Sequence, residues 1–73
     1  MTTLAQSEVV RIEIEINQTL ENIARQRTRL ENPSLSPLQR SAAERSIQTL
    51  ETRTLPRLRQ ELADAQALSL IHI

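Results

Sequence analysis

Large aliphatic residues recur every three or four positions along the first thirty residues of the chain, with polar residues between them. At about 100° per residue, these aliphatic positions fall on one narrow side of a helix. A capping-box pattern at Thr3 marks one candidate helix start, and Ser7 is a second. The pattern predicts an amphipathic helix over residues 3–31, with its apolar stripe formed by Ala5, Val9, Ile12, Ile16, Leu20, Ile23 and Leu30.

One segment inside this predicted helix also fits a β-strand. From Val10 to Ile16, apolar and charged residues alternate, which is the period of a half-buried strand. We favour the helix because the alternation stops at Asn17 and no second strand is available for pairing. In a helix, Val10 and Ile14 lie outside the main stripe. They are either ordinary surface aliphatics or a second interface for another subunit.

Two helix-start signals follow one another closely after residue 31. The first is Asn32 followed by Pro33, and the second is the capping box from Ser36 to Gln39. A proline also disfavours helical geometry in the residue before it. These signals predict a short turn over residues 32–36 and a second helix over residues 37–67. A packed corner under this turn is expected from Leu30, Leu35 and Leu38.

The second predicted helix carries its own apolar stripe, formed by Ala43, Ile47, Leu50, Thr54, Leu58, Leu62 and Ala65. Folding the chain back at the turn places Ile12 opposite Leu58 and Leu20 opposite Leu50. The predicted fold is therefore all-α, an antiparallel two-helix coiled-coil hairpin. The helix-helix seam is expected to consist of Val9, Ile12, Ile16, Leu20, Ile23, Ile47, Leu50, Leu58 and Leu62.

Pro56 interrupts the second helix. It lacks a backbone N–H, and its ring clashes with the carbonyl four residues earlier. The sequence predicts either one kinked helix or two helices meeting at Thr54. We favour the kink, since the apolar stripe continues past the proline.

Charged residues beside the stripes also suggest the pairing of the two helices. Arg27 falls inside the first stripe, where we expect its stem to pack and its head to reach solvent; a buried charge that fixes the register is the alternative. Cross-arm ion pairs are expected between Arg25 and Glu44, Glu15 and Arg53, and Glu13 and Arg57.

The composition excludes most kinds of chemistry. The 73 residues include no aromatic residue, cysteine or glycine, and nine arginines balance nine acidic residues, so that the formal net charge is zero. A thiolate site and a glycine-rich phosphate loop are therefore impossible, and the single histidine, His72, lies in the last segment. We expect no enzymatic activity and no cofactor, metal or small-molecule ligand.

The last six residues, Leu68 to Ile73, resemble the in-frame translation of a sequencing adaptor. This resemblance implies a non-native or disordered tail at 68–73 and a native protein that continues further; an ordinary apolar tail is the alternative. No signal peptide or membrane-spanning run is visible in the sequence. The expectation is a cytoplasmic protein or a virion component.

Two apolar stripes on a hairpin suggest a role in association. We expect an oligomerisation or spacer module, the N-terminal part of a longer protein, whose partner is a second copy, another protein or the rest of its own chain. The weaker alternative is a nucleic-acid-binding accessory protein. Its phosphate contacts would come from the cluster at the hairpin end, which consists of Arg25, Arg27, Arg29, Arg40 and Arg45.

Overall fold

The structure, a computed structural model, describes the backbone of residues 4–71 and the side chains of residue 4 and residues 6–68. Helix α1 spans Leu4–Leu30, α2 spans Pro37–Thr49 and α3 spans Leu55–Ile71. A π-helical turn, Leu50–Thr54, joins α2 to α3 without a break, so these elements form one continuous second arm. Helix α1 packs against both α2 and α3. The predicted all-α hairpin is confirmed.

The alternating segment from Val10 to Ile16 lies wholly inside α1, so the strand interpretation is wrong. The helix start predicted at Thr3 lies outside the described residues. At the other end, α3 continues to Ile71, past the predicted end at residue 67. Residues 68–71 of the predicted tail are therefore helical, and residues 72–73 lie outside the described part of the chain.

The turn between the arms is built from the residues that predicted it. Ser36 caps α2: its hydroxyl accepts a hydrogen bond from the Gln39 N–H at 3.2 Å, and the Gln39 side chain accepts one from the Ser36 N–H at 3.2 Å. This reciprocal pair satisfies two amides that would otherwise lack partners at the helix start. The Asn32 side chain accepts a hydrogen bond from the Ser34 N–H at 3.0 Å. The predicted capping box is confirmed.

The packed corner predicted under this turn is incomplete. Leu30 and Leu35 are half-buried, whereas the Leu38 residue remains 81% exposed. Leu38 lies five residues before the buried Ala43, which places it about 140° around the helix from the apolar side. The capping box starts α2 at a phase that turns Leu38 towards solvent.

The core lies along the seam between the arms. Among the described residues, the buried apolar side chains are Ile12, Ile23, Ala43, Leu55, Leu58 and Ala65. Ile12, Leu58 and Ala65 form one cluster, with Leu62 and other half-buried aliphatics packed against it. The predicted layer of Ile12 and Leu58 is confirmed.

The π turn corrects the phase of the second arm. The backbone N–H of Leu55 donates to the carbonyl of Leu50, five residues earlier, instead of four. Leu55, which is 5% exposed, therefore lies in the seam at the level where the sequence pattern predicted Thr54. Inward-facing positions on this arm are spaced by four, three, five, three, four and three residues, as given by Ala43, Ile47, Leu50, Leu55, Leu58, Leu62 and Ala65. The single interval of five is the extra residue that the π turn absorbs.

The same turn accommodates Pro56, which follows it directly. In a regular helix, the proline ring would collide with the carbonyl of Thr52. A π turn is wider and moves the preceding carbonyls. The irregularity predicted near Pro56 is therefore this π turn, and Thr54 does not begin a separate helix because the backbone remains helical through Leu55.

The hairpin is long and thin, with extents of 54 × 20 × 12 Å. These dimensions correspond to a single layer of two helical arms. Within residues 4–71, none of the helices combines the length and apolarity required to cross a lipid bilayer.

Replacing Leu58 by Ala tests the seam. Leu58 is 3% exposed, so its truncation is expected to lower the free energy of unfolding by about 2–3 kcal/mol. Leu38→Ala, at a residue that is 81% exposed, is the matched control, with an expected change within about 0.5 kcal/mol. Urea unfolding followed by circular dichroism measures both changes. Equal effects of the two substitutions would contradict the seam.

Two single-residue deletions test the phase correction, both made in a Pro56→Ala background so that the proline does not require the wide turn. Deletion of Arg53 removes the extra residue of the π turn, and the stability should stay within about 1 kcal/mol of the Pro56→Ala parent. Deletion of Arg59 instead rotates Leu62 and Ala65 by about 100° out of the seam and should cost about 2 kcal/mol or more. Both deletions remove one exposed arginine. Thermal unfolding compares them, and equal losses would argue against a phase correction.

Candidate interaction surfaces

The predicted seam is only partly covered by the hairpin itself. Of its nine residues, Ile12, Ile23 and Leu58 are buried. Five are half-buried, and they are Val9, Ile16, Ile47, Leu50 and Leu62. The ninth, Leu20, is 43% exposed, although the repeat predicts a buried position. Two helices cover only one sector of each other, which leaves the edges of both apolar stripes open.

Leu20 is exposed because of the rotation of α1 about its own axis. The stripe has two candidate residues at this level, Thr19 and Leu20, because 3.6 residues per turn do not match a seven-residue repeat. Thr19 is half-buried, and its hydroxyl donates to the Glu15 carbonyl at 2.8 Å. The structure turns Thr19 towards the second arm, and Leu20 consequently lies at the edge of the seam.

A polar groove runs along one flank of the hairpin. Thr54 and Arg57 of the second arm line it together with the core residue Leu58. From α1, it is lined by Glu15, Gln18, Thr19, Glu21, Asn22 and Arg25. The groove is wide and open, and its mixed polar lining is compatible with solvent.

The opposite flank carries the open apolar edge of α1. Leu20 stands between two groove-lining residues, Thr19 and Glu21, and at 100° per residue it points about 170° away from the centre of the groove-lining positions. Val9 and Ile16 share this direction on the helix. We call these three residues, Val9, Ile16 and Leu20, the Leu20 flank. One side of α1 is thus polar, whereas the other carries the partly exposed aliphatic edge of the stripe.

Val10 and Ile14, the predicted second interface, lie on the outer face of α1. They are 53% and 51% exposed, one helical turn apart. Their direction is about 160° from the seam, so they point away from the second arm. The structure places both residues where a partner can reach them, and their use as an interface stays a prediction.

Charged side chains mostly pair along one arm instead of across the two. Arg11 binds Glu8 at 2.8 Å and Glu15 at 2.6 Å, and Arg57 lies 3.9 Å from Glu61. The hydrogen bond from Arg11 and its charge lower the pKa of the Glu8 carboxyl. Such local pairs form at spacings of three and four residues, which need no contribution from the second arm. Each contributes little to stability because the side chains are exposed.

The ion pairs expected across the seam are replaced by another one. In the part of the chain that the structure describes, Glu15 and Arg57 take the local partners above, and the cross-arm pair joins Arg27 to Glu51 of the π turn. The Arg27 side chain is largely exposed, as predicted, so the alternative of a buried charge is wrong. Arg27 follows Leu20 by seven residues, which places this pair on the same side as the Leu20 flank.

The arginine cluster at the hairpin end is partly engaged by the protein itself. Arg40 is half-buried, and its guanidinium donates to the carbonyls of Leu30 at 3.0 Å and Asn32 at 3.4 Å. It thereby satisfies acceptors left free where α1 ends. Arg27 is paired with Glu51, and Arg25 lines the polar groove. Phosphate binding by this cluster stays a prediction; Arg40 is half-buried, and the other four arginines, Arg25, Arg27, Arg29 and Arg45, are exposed.

Comparison of the chain with protein-family models, with curated proteins and with solved structures finds no match.

Replacing Arg40 by Ala tests its role at the turn. The substitution leaves the Leu30 carbonyl without its charged donor and should lower the free energy of unfolding by about 1–2 kcal/mol. Arg45→Ala removes the same charge from an exposed position and should change stability by less than about 0.5 kcal/mol. Chemical denaturation measures both variants. An Arg40→Ala protein as stable as Arg45→Ala would exclude the capping role.

Proposed function

We propose that this chain is a non-enzymatic protein-interaction module, a helical hairpin that associates with a protein subunit through its incompletely covered apolar faces. The observation that carries the proposal is the state of the core. Within the described residues, the large side chains that are buried are Ile12, Ile23, Leu55 and Leu58. Five of the nine expected seam residues are half-buried, and Leu20 is exposed. A protein that folded for itself alone would be expected to cover more of its aliphatic surface.

The burial is incomplete because each helical arm has too few neighbouring helices. Stable helical domains bury each apolar stripe between at least two neighbouring helices, as four-helix bundles do. Here each arm has one neighbour, and the shortest extent of the molecule is 12 Å. A further helix or pair of helices against the open edge would complete the burial. Association then supplies stability that the single hairpin lacks.

The shape suits either of two roles for such a module. A hairpin of 54 Å can hold bound partners apart as a spacer, or it can join subunits as an oligomerisation element. The spacing of apolar residues by alternating three and four, apart from the π turn, supports packing of the coiled-coil kind with a partner helix.

Unfolding of the dilute chain tests the proposal. At the lowest measurable concentration, the hairpin is expected to show reduced helicity and a broad thermal transition, because the open seam gives little stability. Circular dichroism and hydrogen exchange report helicity and protection. A fully helical dilute chain that unfolds in one sharp transition, independent of concentration, would show that the hairpin needs no partner and would overturn the proposal.

A further inference from the structure

We draw no further inference here: the strongest candidate, the Leu20 flank on α1 with its partly exposed Val9, Ile16 and Leu20, is an unpartnered apolar edge, and nothing in the structure shows what covers it.

Discussion

The hairpin depends on keeping the apolar positions of its two arms in phase over their whole length. Helix α1 is a regular α-helix along its whole stripe, but the second arm contains one residue too many between Leu50 and Leu55. The π turn absorbs this residue, and Leu55 and Leu58 are both buried as a result. Without the wide turn, α3 would present its aliphatic residues about 100° away from α1. Pro56 occupies the one place on the arm where a widened backbone already makes room for its ring.

Pairing only two helices also leaves the edges of the apolar seam exposed. A single layer of two helices can bury only the residues that point directly at the neighbour, such as Ile12 and Leu58. Residues slightly off that direction, such as Ile16 and Leu20, remain partly in contact with water. The exposed strip falls on one flank, and polar residues occupy the other. The two flanks of α1 therefore differ in how much aliphatic surface they leave exposed.

Electrostatic interactions contribute little to the stability of the contact between the two arms. Most ion pairs are local and exposed, so they favour helix formation in one arm and contribute little to the contact between arms. Arg40 differs from these residues because it donates hydrogen bonds to backbone carbonyls. Its guanidinium, on α2, binds the carbonyls of Leu30 and Asn32 at and just beyond the end of α1. A residue that sequence reasoning assigns to a phosphate partner thus has a place in the turn itself.

The helices, the turn and the antiparallel pairing could be predicted from the residues alone, because they follow from local signals: apolar periodicity, the Ser36 capping box and the similar lengths of chain on either side of the turn. The Val10–Ile14 exposure was also predictable from helical phase. The interval of five between Leu50 and Leu55 was a visible signal of the π turn, but Thr54 fitted a regular helix equally well. Other features are visible only in the folded hairpin. They are the burial of Leu55 in place of Thr54, the inward position of Thr19 in place of Leu20, and the ion-pair partner of Glu15. Each depends on the rotation of one arm against the other, and that rotation is set by packing of both arms together and by neither stripe alone.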